Sequence, residues 1–149
     1  NTFSGEYLAH TPAVILANYL TTQDLISNPS DSSAEWPFYI GFLPDILHNT
    51  GVIYDVEGVT EGRYQKTGTV VEHQGVKIVV TSKIYNDGWS KINQLVTAIN
   101  LINNEIVTID DSSYKINGLV QQAPVDYIGI DEKRKFNFTV DYLINIQYI

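Results

Sequence analysis

Residues 131–149 read DEKRKFNFTVDYLINIQYI. From Phe136 onward the run alternates almost without fault. Phe136, Phe138, Val140, Tyr142, Ile144, Ile146 and Tyr148 fall on one parity. Asn137, Thr139, Asp141, Asn145 and Gln147 fall on the other. Successive side chains of a strand point to opposite faces, so this spacing predicts a long strand with one apolar face. Phe136, Phe138, Val140 and Ile144 are expected to face the core. The five charges ahead of them, Asp131 to Lys135, read as the turn that precedes the strand.

Working outward, the rest of the chain must supply the partners. NDGWSKINQLVTAINLINNE (86–105) is the clearest helix, because Trp89, Ile92, Leu95, Val96, Ile99 and Ile102 recur at steps of three and four. Asp87 is a candidate N-cap and Trp89 a core anchor, with Lys91 on the solvated side. TPAVILANYLTTQDL (11–25) reads as a second helix, with Thr11 as N-cap and Pro12 at the first helical position, where its missing N–H costs nothing.

The remaining segments read as extended. WPFYIGFLPD (36–45) is a buried strand ended by Pro44, and GVIYDVEG (51–58) a short strand between glycines. TVVEHQGVKIVVTSKIY (69–85) reads as a hairpin about a Gln74-Gly75 turn. IVTI (106–109) is followed by a polar turn, DDSSYKING (110–118), and by LVQQAPVDYIGI (119–130). SNPSDSSAE (27–35) and VTEGRYQKTG (59–68) read as exposed connections. The order helix, strands, helix, strands predicts an α+β fold: one domain over 1–149, a mostly antiparallel sheet, and two main helices packed on one face.

Composition narrows the function. The formal charge is −8 and the pI about 4.6, which argues against a general nucleic-acid binder, since phosphate affinity needs concentrated Lys and Arg. It does not argue against working beside DNA that must slide past. The absence of cysteine excludes disulfide and thiolate chemistry. The first residues do not read as a signal peptide, and no apolar run is long enough to predict a membrane span.

Catalytic signatures are missing. There is no GxGxxG, P-loop, GxSxG or HExxH pattern, and no cofactor or metal is expected. Asp45 and His48 could share a helical face, but a local hydrogen bond explains them as well. Asp110-Asp111-Ser112-Ser113 lacks the ligand register of a calcium loop. Asn137-Phe138-Thr139 fits a glycosylation sequon but lies inside a strand. Ten tyrosines and two tryptophans raise a carbohydrate- or receptor-binding module as the alternative function. Against it, Tyr39, Tyr54, Tyr85, Tyr127 and Tyr142 all fall in predicted strands, where aromatic rings pack well.

The basic residues are few and unevenly spread: Arg63 and Lys66 lie in the 59–68 connection, and Lys133, Arg134 and Lys135 beside Asp131 and Glu132. Mixed-sign clusters fix register and orientation between subunits. The ordered set WPxxxGxxP (Trp36, Pro37, Gly41, Pro44), GRxxxxG (Gly62, Arg63, Gly68), EHxGxxI (Glu72, His73, Gly75, Ile78), YxxGWxKI (Tyr85, Gly88, Trp89, Lys91, Ile92) and DEKRxxxFT (Asp131 to Arg134, Phe138, Thr139) resembles the tail terminator, or minor capsid, proteins of long-tailed bacteriophages. The resemblance spans most of the chain from about residue 10 to residue 142. It implies a non-enzymatic virion protein of the neck, assembled in the bacterial host cytoplasm. Such a protein forms a ring, expected to be a hexamer, that caps the tail tube, ends its polymerisation and joins it to a head connector protein. DNA would pass through the lumen without specific binding. Asp131, Glu132, Lys133, Arg134, Arg63 and Lys66 then become candidates for contacts between subunits or with the tube.

Overall fold

The final strand forms where its alternation places it, from Phe136 to Tyr148, and it is the centre of the sheet. The computed structural model describes residues 10–27, 36–42, 49–60 and 72–149, with backbone only at 57–60 and 72–73. Its elements are α1 (Pro12–Thr22), β1 (Phe38–Ile40), β2 (Thr50–Thr60), β3 (Glu72–Ser82), α2 (Tyr85–Asn100), β4 (Glu105–Ile109), β5 (Ser112–Gln121), β6 (Asp126–Ile130) and β7 (Phe136–Tyr148). The strand order is β1-β2-β3-β7-β5-β4, and β6 lies beside β7. Among the described strands, only β1 and β2 pair in parallel. The fold is α+β, as the element order predicts.

β7 pairs with β3 along Phe136–Ile144. Its other edge is shared: β6 takes Phe136–Thr139 and β5 takes Tyr142–Tyr148. The apolar parity of β7 is buried from Phe138 through Ile144, with Phe136 half-buried. It meets Val76, Ile78 and Val80 of β3 and Tyr114 and Ile116 of β5 in one core. Ala13, Ile15, Leu16 and Leu20 of α1 and Ile92, Leu95 and Ile99 of α2 complete that core. The opposite parity is not simply solvated: Val52, Thr81 and Thr139 are also buried.

Local chemistry explains the helix ends. Thr11 caps α1 by accepting from the Val14 N–H, and Asp55 Oδ1 accepts from the Ala13 N–H at 2.9 Å. These two side chains satisfy donors that a helix start leaves orphaned. The helix stops at Thr22, three residues short of the predicted end. Asp24 adopts φ +59, its N–H reaches Thr21 O, and the Leu25 N–H reaches Leu20 O. That pair of bonds is the Schellman arrangement, with Asp in the place glycine usually takes.

Several expectations are corrected. Gln74-Gly75 is no turn: β3 runs straight through it, and Gly75 pairs with both Val56 and Leu143. The register of β2 shifts just beyond Val56, so this glycine faces an irregular stretch of its partner strand rather than bending its own. The polar turn at 110–118 shrinks to Asp110-Asp111, because Ser113, Lys115 and Asn117 are one parity of β5, whose other parity buries Tyr114 and Ile116. The 119–130 segment breaks between β5 and β6, where Pro124 has no N–H to give the ladder. α2 starts at Tyr85, its N-cap is Ile84 without a side-chain cap, and Asp87 falls in the first turn. There its charge still complements the helix dipole. The 36–45 strand is reduced, among described residues, to Phe38–Ile40, after which Gly41 turns at φ +80. Val59 and Thr60, read as connection, belong to β2.

Tyr142 reports on this core. Burial pushes its hydroxyl up to about 12. The unfolded phenol ionises near its ordinary value, so stability is full below about pH 10 and falls as pH rises from there toward 12. Tyr142→Phe is expected to flatten that alkaline decline in denaturant titrations run between pH 9 and pH 12. An unchanged slope would place the sensitivity elsewhere.

Candidate subunit interface

The charged corner is the loop between β6 and β7, and its residues divide by role. Asp131 turns inward on its own loop. Its Oδ1 accepts from the N–H groups of Lys133 at 2.9 Å and Lys135 at 3.0 Å, and its Oδ2 from Asn137 Nδ2 at 3.5 Å. The Arg134 N–H returns to Asp131 O, and the Asp131 N–H to Lys135 O. Arg134 holds φ +61, the left-handed conformation that lets the loop close. Burial acts to raise the Asp131 pKa. The hydrogen bonds from Lys135, Asn137 and Lys133 and the Lys135 charge outweigh it, and the carboxyl sits below its ordinary value.

Asp131 is therefore a loop-closing residue. Asp131→Ala is expected to lose about 1–2 kcal/mol, because two backbone donors lose their acceptor. Acid should act in the same sense. The stabilisation from Asp131 is present above its unfolded pKa and fades as pH falls through its lowered folded value. A variant whose urea midpoint matches that of the native chain at both pH 7 and pH 3 would refute this role.

Lys135 also turns away from solvent and is only 5% exposed. Burial is the main cause that lowers its pKa; Asp131 opposes, while Lys133 and Lys83 add to the lowering. The part of the corner that faces outward is Glu132, Lys133 and Arg134. The sequon asparagine is occupied: Asn137 Oδ1 accepts from Thr81 Oγ1 at 2.7 Å, and Nδ2 points back into the loop.

Next to this corner lies a surface that the spacing of residues does not announce. Tyr85 and Trp89 of α2 and Tyr127 of β6 gather over Phe136 and Phe138. Tyr85 lies 5.3 Å from Tyr127 and 5.2 Å from Phe138, and Trp89 6.0 Å from Phe138, between ring centroids. Tyr85, Trp89 and Tyr127 are 43%, 45% and 41% exposed. Ile84 and Ile130 extend the patch and are exposed too.

Trp89 is thus a rim residue, not the expected core anchor. The buried stripe of α2 starts at Gly88 and continues through Ile92, Leu95 and Ile99. At Gly88 an added Cβ would come within 2.7 Å of the Phe138 ring, so only a residue without a side chain fits there. Trp89 is rotated one position off that stripe. Tyr85 sits on α2, not in the strand expected for it. Lys91, expected on the solvated side, joins α2 to the segment after α1. Its Nζ donates to Leu25 O and to Gln94 Oε1 and lies 5.7 Å from the Trp36 ring centre.

No protein-family model and no curated protein matches the chain.

Of the residues singled out from the sequence, Asp131, Glu132, Lys133 and Arg134 occupy the loop between β6, which carries Tyr127, and β7, which carries Phe136 and Phe138. Arg63 and Lys66 lie outside the described residues, as do Asp45 and His48. His10 pairs with Tyr114, Nδ1 to Oη at 2.6 Å. No metal-holding group of three or more His, Cys, Asp or Glu occurs among the described residues. None of their helices is long and apolar enough to cross a membrane.

Proposed function

We propose that this chain is a structural subunit that assembles with copies of itself, and that the assembly is the ring of a phage head–tail junction. The observation that carries the reading is the exposed patch of Tyr85, Trp89 and Tyr127, with the exposed charges Glu132, Lys133 and Arg134 in the loop that joins β6 to β7. Partly exposed aromatic rings suit a protein–protein interface, whose energy concentrates in aromatic and Arg side chains. The rings rest on buried Phe138, so they are held in place before a partner arrives and little ordering entropy is lost on binding.

The phage context comes from the resemblance of the ordered motifs. In that setting the ring caps the tail tube, docks on a head connector protein and lets DNA through, and the role is structural rather than catalytic. A net charge of −8 suits a channel through which duplex slides, because a basic wall would hold phosphates.

Native mass spectrometry and light scattering test the reading. A closed assembly, expected as a hexamer, should appear either in solution or once purified tail tubes are added. A strict monomer that also fails to cap tubes would sink it. The same exposed rings favour one other reading, a carbohydrate- or receptor-binding module, since rings of this kind stack on sugars. That reading requires hits on a glycan array that Trp89→Ala abolishes.

A further inference from the structure

One titratable contact lies deep in the molecule and away from the aromatic patch. Tyr114 of β5 is fully buried, and its hydroxyl meets two groups, both on His10 just ahead of α1. The His10 N–H donates to Tyr114 Oη at 3.2 Å. His10 Nδ1 lies 2.6 Å from the same oxygen, and the two rings meet edge to face at 5.6 Å. The other ring nitrogen, Nε2, stands 3.9 Å from Asp110 Oδ2 in the β4–β5 turn. These contacts tie the start of α1 to a strand 104 positions further along the chain.

The proton positions follow from which groups can donate. Oη already accepts from the backbone N–H, and the Tyr114 O–H has no acceptor among the described residues other than Nδ1. A buried hydroxyl out of reach of water directs its proton to the acceptor it has. The O–H therefore donates to Nδ1, and the ring proton of neutral His10 sits on Nε2, toward Asp110. A second proton has one place to go, which is Nδ1. An Nδ1–H facing Oη leaves the Tyr114 O–H enclosed without an acceptor.

Asp110 pulls the other way, because a carboxylate favours the charged ring. It is 89% exposed, so water and salt screen its pull, whereas the stranded hydroxyl is enclosed. The other titratable groups around the contact are Asp111 in the same exposed turn, Tyr148 of β7, whose ring lies 5.4 Å from that of Tyr114, and Asp55 of β2, whose Oδ1 accepts from the Ala13 N–H. α1 contributes no charge, and Lys115 lies on the opposite parity of β5.

We infer that the His10–Tyr114 contact is an acid-opened clasp: uncharged His10 holds the start of α1 on β5, and protonation of its ring releases it. The clasp is a conformational device of the single chain and stands apart from the assembly reading.

Two NMR measurements on the native chain test it. Long-range proton–nitrogen spectra of the imidazole at about pH 7.5 should show Nδ1 bare and Nε2 protonated, and the reverse tautomer overturns the inference. The Ile15 N–H, which bonds to Thr11 O, reports on opening of the first turn. Its protection from exchange, taken relative to Leu95 and Ile99 of α2, should fall about tenfold between about pH 7.5 and about pH 5, on either side of the range in which imidazole ordinarily titrates. Unchanged relative protection overturns the clasp. In His10→Asn the side-chain oxygen can accept the Tyr114 proton but takes none from solvent, so protection should hold at both pH values. Tyr114→Phe should show the same reduced protection at both. A His10→Asn variant that loses protection in acid as the native chain does would assign the sensitivity to another group and also overturn the inference.

Discussion

Phe138→Ala is expected to destabilise the chain by about 3–5 kcal/mol, the usual cost of emptying a buried aromatic site. A chain of this size should then melt roughly 10 °C lower. The cost arises because the ring fills a site closed by several elements. Phe138 is fully buried, and its ring is packed by Tyr85, Tyr127 and Trp89 on one side and lies beneath the α2 backbone at Gly88. The loss should reach the surface as well, since the exposed rings rest on it. Trp89 fluorescence in the folded variant should shift toward that of a solvated indole. Calorimetry together with the emission spectrum checks both effects, and a variant that melts within 2–3 °C of the native chain would show that the patch is not built on Phe138.

Gly51→Ala is expected to cost about 3 kcal/mol, although it adds a single methyl group. Gly51 pairs with Phe38 at the edge of the sheet, and a Cβ there would come within 2.2 Å of the Phe38 ring. Phe38 is only 3% exposed, so the ring has little room to yield. Phe38→Leu in the same chain should recover part of the loss, because the two changes share one space and cannot add independently. Urea unfolding of the native chain, the two single variants and the double variant measures the coupling. Simple additivity would place the strain away from Phe38.

Much of this architecture is legible in the residues. Strict alternation located β7 to its ends, and the step of three and four located the buried stripe of α2. Thr11 and Pro12 marked the start of α1 through a mechanism, an accepting hydroxyl followed by a residue with no N–H to satisfy. Reading failed where one residue type serves two purposes. Gln74-Gly75 has turn chemistry, but cross-strand pairing on both sides outweighs a local preference. Ser112 to Gly118 is rich in turn formers, yet half of those positions are one face of a strand. The candidate interface was half legible. Asp131 to Arg134 stood out as a block of charge, although the inward use of Asp131 needed coordinates. The aromatic patch joins residues from α2, β6 and β7, and α2 lies some forty residues before the two strands. Period and motif describe neighbours in sequence and say nothing of such a meeting.

The position of β7 also has a consequence for how the molecule comes into being. Strands β1, β2 and β3 form one ribbon and β4 and β5 another, and among the described strands β7 alone joins the two in the sheet. β7 follows all of them in the chain. During synthesis the earlier strands emerge first and wait for the piece that unites them, with the edge of β3 unpaired for several seconds at ordinary translation rates of about 5–20 residues per second. Pairing Gln74 with Ile144 also closes a loop of some seventy residues, so the sheet is completed by distant contacts, which form slowly. A nascent chain halted before Phe136 would expose the apolar flanks of both ribbons, and it is in that interval that a chaperone would find most to hold.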